Sequence, residues 1–365
     1  MQKTRQTTIV DIANQLGVSP STVSRALHDH PSISAKTKRN VMVLAEKYSY
    51  QPNLLALSLL NKKTGIIGIV VPEITSYFFA TVISGVQDMV SSAGYKLLIC
   101  QSDESFEEEK KLLHDMALLR VDGVLISPTF RTNSFEHFEK LKKTGIPLVI
   151  FDRDCPGFEA DRVLVDSYDG AYQAVEYLIK TGCQRIAHIA GPIAIPTFKQ
   201  RLDGYLNAHY DNNIPIRSEL IVYSNGFSSN DGVEAATQLM ARNEKLDAIF
   251  AVNDAVAIGT THVLRENGFH VPDDISLVGF DDESYAQYYY PPLSTVWQPV
   301  YELGMLSAKI LLDRFANVEH PQPYRYEVLK PELVIRDSSS ALAAPMSSSV
   351  APNQPNTPTV HREWS

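Results

Sequence analysis

Between Pro20 and His28 the chain sets Ser21, Thr22, Ser24, Arg25 and His28 close together. Three hydroxyls, a guanidinium and an imidazole on one short segment suit nucleic acid. Hydroxyls at a helix start reach phosphate or base edges, and an arginine fork matches O6 and N7 of guanine. The surrounding spacing supplies the elements. Thr8 precedes Ile9, Ile12, Ala13 and Leu16, the apolar stripe of an amphipathic helix, and Gly17 stops it. Ser19 caps a second helix with Pro20 in its first turn, and Val23, Ala26 and Leu27 form its inward face. Ser34 caps a third helix over 35–48 that packs Val41, Leu44 and Ala45. Two helices joined by a tight Gly-Val-Ser turn describe a helix-turn-helix. A helical hairpin for protein contacts has the same outline, and charge separates the two readings.

Residues 1–63 carry nine Lys and Arg against three acids, an excess of six positive charges, although the whole chain is at −9. The rest is therefore strongly anionic. A cationic head on an anionic body lets the head approach phosphate while the body is repelled. At 365 residues the chain needs two or more cores, and 44% hydrophobic with 21% charged residues is a globular composition. No apolar run reaches the ~18–20 residues of a membrane span. Residues 1–8 are polar and basic, unlike a secretory signal, so the expected location is the cytoplasm. Cys100, Cys155 and Cys183 are too few and too scattered for a disulfide framework or a metal site.

The segment 51–61 (QPNLLALSLLN) is made of helix formers but is too short to be a stable helix alone, so it folds against something. With Thr8–Ala13, VSPSTVSRAL (18–27), Ser34–Thr37 and YQPNLLALSL (50–59), the chain resembles the LacI family of bacterial transcription regulators. The resemblance implies a hinge helix that forms on operator DNA and enters the minor groove at the centre of the site. Leu59 would then be the wedge between base steps, with Ala56 and Asn53 beside the groove. It also implies that Pro20, Ser21, Thr22 and Arg25 read the half-sites, with Thr8 and Ser34 near phosphates. Leu57 stands where many members carry arginine.

From Thr64 short β-branched runs alternate with longer helical stretches, the pattern of parallel βαβ units. Strands are expected at 66–71, 96–100, 123–126, 148–151, 185–190, 220–223, 248–251 and 276–279. Helices are expected at 79–93, 169–180, 201–210 and 255–267, among others. The resemblance extends here through GIPLVIFDR, RIAHIAGP, FAVND, PDDISLVGFDD and PPLSTVWQP. The implied fold is a small all-α helix-turn-helix domain followed by a two-subdomain α/β, periplasmic-binding-protein-like core with parallel sheets. The expected division is a head at 1–50, a hinge at 51–63, one subdomain at 64–166 with 297–326, the other at 167–296 with 327–337, and a disordered tail at 338–365. The positions matching the family's effector contacts are Phe78, Phe79, Asp152, Arg201, Phe227, Asn253 and Asp281. Such a set suits a sugar: carboxylates, an amide and an arginine fork bind adjacent hydroxyls, and aromatic faces cover C–H groups. Arg153 and Asp166 are further candidates, and Asp254 is expected to cap a helix.

Catalytic patterns are missing: no GxSxG, HExxH, GxxxxGK[ST] or GxGxxG occurs in a fitting context. No cofactor, metal or catalytic residue is assigned. The expected partners are pseudo-palindromic operator DNA, a small sugar-like effector and a second copy of the chain, with no membrane. A dimer is preferred because the family's tetramers carry a C-terminal leucine heptad helix, which is lacking here. The alternative is a solute-binding protein of a transport system, which would use the same body but needs export.

Overall fold

The computed structural model describes residues 7–50, 63–317 and 322–339. Residues 51–62 of the expected hinge, with Asn53, Ala56, Leu57 and Leu59, lie outside the described residues, as does most of the expected tail.

Three helices form the head: α1 (Ile9–Leu16), α2 (Pro20–Leu27) and α3 (Ala35–Lys47). Each begins where a hydroxyl satisfies an otherwise orphaned backbone N–H. Thr8 and Asp11 make a reciprocal capping box, Ser19 accepts from the Thr22 N–H, and Ser34 accepts from the Thr37 N–H. Gly17 ends α1 at φ 67°, a left-handed conformation that costs glycine nothing. Ile12, Ala13, Val23, Ala26 and Val41 close the small core, with Ile9, Leu16, Val18, Leu27 and Leu44 packed around it. After α2, Lys38 binds both the carboxylate of Asp29 at 2.5 Å and its carbonyl at 2.9 Å, which fixes the turn into α3.

The chain divides into two units, Met1–Leu164 with Val300–Val328 and Val165–Pro299 with Leu329–Ser365. It therefore passes from one to the other three times. In the first unit the strands β1 (Ile66–Val71), β2 (Lys96–Gln101), β3 (Gly123–Ile126), β4 (Leu148–Phe151), β5 (Asp161–Val165) and β11 (Tyr326–Leu329) form one sheet. Its order is β2-β1-β3-β4-β5-β11, and the neighbours from β2 to β5 are parallel. β1, β3 and β4 are apolar and almost wholly buried, as parallel strands covered on both faces must be. Helices α4 (Tyr77–Ser92), α5 (Phe106–Leu119), α6 (Glu136–Lys143) and α11 (Val300–Ala316) cover the sheet. α4 and α11 cross at backbone contact: a Cβ on Gly304 would stand 2.2 Å from the Val82 carbonyl oxygen.

The second unit carries a parallel sheet of order β7-β6-β8-β9, from β6 (Ile186–Ala190), β7 (Ile221–Tyr223), β8 (Ala248–Ala251) and β9 (Ser276–Val278). Helices α7 (Ser167–Lys180), α8 (Pro196–Asp211), α9 (Ser229–Ala241) and α10 (Asp254–Glu266) accompany it. An antiparallel pair, β10 (Thr295–Trp297) and β12 (Glu332–Val334), completes the unit. Val175, Leu178, Tyr205, Phe250 and Phe280 are buried in its core.

In both sheets the chain steps first to one side of its opening strand and then to the other. That reversal at β1 and at β6 opens a crevice at the carboxyl ends of the strands, where ligands of doubly wound sheets bind.

The tail boundary expected at 338 is corrected by two residues. Ser338 and Ser339 are buried; the Ser338 hydroxyl donates to the Leu277 carbonyl at 2.6 Å, and its carbonyl accepts from the Leu277 N–H at 2.7 Å. Their serine-rich composition reads as solvent-exposed chain, but these small polar residues satisfy backbone groups of β9 that would otherwise lack partners.

Candidate functional site

The face of α2 opposite Val23 and Ala26 carries the head's polar set. Pro20, Ser21, Arg25 and His28 are exposed, and Thr22 and Ser24 are half-buried. Ser19 holds the hydroxyls of Ser21 and Thr22 at 2.7 and 2.8 Å, so the start of α2 offers an ordered hydroxyl cluster. The Nδ1 atom of His28 lies 2.8 Å from the Ser24 carbonyl, which fixes the ring. Thr8 and Ser34 are exposed, and both hydroxyls serve as helix caps.

In the second unit, Arg201 projects from α8 and is only 4% exposed. Its guanidinium lies 3.6 Å above the Phe280 ring centre and donates to the Val252 carbonyl at 2.6 Å. It also reaches Asp281 Oδ1 at 3.3 Å, and Gln298 donates to that same oxygen at 2.7 Å. Asp281 follows β9 at φ 110°, a conformation rare outside glycine, and is held there by its N–H to the Val296 carbonyl. Asn253 follows β8 and caps α10 through the Val256 N–H at 2.9 Å while its amide donates to the Phe227 carbonyl at 3.0 Å. The half-buried Phe227 ring meets Phe198 edge-on. Arg201, Phe227, Asn253 and Asp281 thus converge after the carboxyl ends of the second sheet's strands.

Asp254 departs from its expected role, because Asn253 is the cap. Asp254 is fully buried, accepting from the Thr295 hydroxyl at 2.6 Å and from the Glu283 N–H at 2.8 Å. Burial, reinforced by the charge of Asp281, raises its pKa well above the usual carboxylate range. The same two causes push Glu283 up to about 7. This polar floor under Asp281 was not visible in the spacing, nor was Gln298, since both depend on residues distant in sequence.

In the first unit, Asp152 follows β4 at φ 67° and accepts from the Ser127 hydroxyl at 2.8 Å. Phe78 and Phe79 lie in the first turn of α4, edge to face with centres 5.1 Å apart; Phe79 is buried and Phe78 is half-buried. Arg153 makes a bidentate pair with Glu104 at 2.8 and 2.9 Å and a further bond to the Pro128 carbonyl, so it serves the loops after β2 and β3. Asp166, also a candidate, caps α7 through the Asp169 N–H. Among the described residues no group of three His, Cys, Asp or Glu could hold a metal ion, and no helix is long and apolar enough to cross a membrane.

Residues 8–53 match the model of bacterial regulatory proteins of the lacI family, and residues 175–339 match a periplasmic binding protein-like domain. The chain is 32% identical to the HTH-type transcriptional repressor PurR of Vibrio campbellii, over 92% of its own length and 99% of the relative's. Among solved structures it is similar to the transcriptional regulator CelR–cellobiose complex (TM-score 0.70, 30% identity, 92% of this chain and 100% of that one). It is also similar to the lac repressor dimer bound to operator and the anti-inducer ONPF (TM-score 0.82, 25% identity, 93% and 100%). The capped, basic helix-turn-helix, the paired parallel sheets and a likeness running nearly end to end agree, and the chain belongs to the LacI family of bacterial transcription regulators.

Proposed function

We propose that the protein is a cytoplasmic, dimeric, non-enzymatic repressor that reads a pseudo-palindromic operator and answers to a sugar-like effector. The single observation that carries the DNA-reading role is the outward face of α2. There Ser21, Arg25 and His28 are exposed above a closed core, on a segment six charges positive. Pro20, Ser21, Thr22, Ser24, Arg25 and His28 meet the major groove, Thr8 and Ser34 lie near phosphates, and Asn53, Ala56 and Leu59 belong to the minor-groove hinge. The division into head (1–50), hinge (51–63), two discontinuous subdomains and a tail is part of this proposal.

The effector reading rests on the arginine, amide and carboxylate at the strand ends of the second unit; Asp152, Phe78 and Phe79, on the first unit, are also proposed as effector contacts. Arg201 and Asp281 would take adjacent hydroxyls and Phe227 would cover a C–H face. Cellobiose in the CelR complex is a ligand of the proposed chemical class.

A gel shift with genomic fragments in rising salt tests the DNA role. Specific binding should weaken steeply with salt, and Arg25→Ala should cost about 1–3 kcal/mol at the operator. Absence of any preferred fragment, or an unaffected Arg25→Ala variant, would overturn the assignment.

A further inference from the structure

On the first unit, between α5 and α6, lies a hollow of about 460 Å³ that none of the residues discussed above line. Its floor is apolar, with Leu113, Ala117 and Leu141. Its walls carry Lys110, Lys111, Lys140 and His114, with Glu107 as the one acid. Lys110 is paired with Glu107 at 3.0 Å and Lys111 with Glu108 at 3.1 Å, both at the surface, where such pairs exchange readily for another anion. Lys140 adds a further exposed cation from α6.

His137 also lines the hollow, and it is 7% exposed. Its Nε2 lies 2.7 Å from Oε1 of Glu109, which is wholly buried and also accepts from the Thr129 N–H and the Thr132 hydroxyl. Glu109 can only accept from the ring, so Nε2 carries the proton and the ring is held in one orientation. The other ring nitrogen, Nδ1, is buried with no hydrogen-bond partner among the described residues. A buried polar atom left unpaired is costly unless a ligand or water completes it.

We propose that this hollow binds a small organic anion with an apolar body, its charged group held by Lys110, Lys111 and Lys140 and its body resting on Leu113 and Leu141 beside His137. The volume suits a ligand of a dozen or so heavy atoms, an estimate from the usual scale of small-molecule pockets. Neither an apolar solute nor a bare inorganic ion would use both halves of the lining.

Phenyl phosphate is a suitable probe, titrated calorimetrically into the full-length protein beside inorganic phosphate and uncharged benzyl alcohol. The expected result is saturable binding of phenyl phosphate, at least tenfold tighter than either comparator. The Lys110→Ala/Lys140→Ala variant, which alters only surface side chains, should weaken it at least tenfold with an unchanged melting temperature. His137→Gln should weaken it as well; if that variant fails to fold, the lysine pair decides. No saturable binding, equal binding of benzyl alcohol, or an unaffected lysine variant would overturn the proposal. The outcome is independent of the sugar-like effector, which Asp281 substitutions probe separately.

Discussion

His188 shows how one residue can set a pH limit on the whole fold. It stands in β6, fully buried, stacked between Tyr205 and Phe250, with Nδ1 donating to the Phe250 carbonyl at 2.9 Å. Burial pushes its pKa down to about 4 from the ordinary 6.5. The unfolded chain takes up this proton near 6.5 and the native state resists it until about 4. Stability is therefore undiminished above 6.5 and falls by roughly 1.4 kcal/mol per pH unit as acid is added through that window. His188→Phe keeps the stack and removes the titration, so its melting temperature should drop less than the parent's between pH 7 and 5. Parallel melting curves across that range would refute the assignment. At this scale the sequence was uneven: Arg201, Asn253 and Asp281 were recognisable through family motifs. Their partners are less legible: Gln298, which donates to Asp281, and Ser127, which donates to Asp152, each meet their target only after the strands are laid side by side.

Elements were more legible than their partners. Buried parallel strands are continuous apolar runs, so β1, β3, β4 and β8 appear at the expected residues. β5 (DRVLV) was missed because it opens with two charges, yet Asp161 is buried against Arg314, a bidentate pair at 2.7 and 2.8 Å formed 153 residues apart. β10, β11 and β12 escaped for another reason: they are short and partly or largely exposed, so no continuous apolar run marks them. Helix α11 fits because Gly304 has no side chain. Gly304→Ala would press a methyl group against the Val82 carbonyl and should destabilise the protein by about 1–3 kcal/mol, measured by denaturant unfolding. A variant as stable as the parent would mean that α4 and α11 can part at no cost.

Across the whole molecule, charge and ligand chemistry are segregated. The positive head serves a polyanion, while the remainder, strongly negative, carries the residues proposed for a sugar-like effector. Coupling between two such ligands must be reciprocal, whatever its sign. Asp281→Ala should abolish sugar-dependent thermal stabilisation, screened over mono- and disaccharides, and leave DNA binding in the absence of sugar intact. An unchanged thermal shift in the variant would relocate the effector site. The discontinuous layout of the two units is expected from the family resemblance and not from periodicity, which does not say which sheet a strand or helix joins.

That layout has a consequence during synthesis. The three head helices bury their core within the first fifty residues, so they can fold as soon as they leave the ribosome. α4 must wait for α11, which begins at Val300, and at roughly 5–20 residues per second that is a delay of the order of ten seconds or more. Throughout that interval the nascent chain already displays a finished DNA-reading helix, while its first α/β unit still lacks one wall.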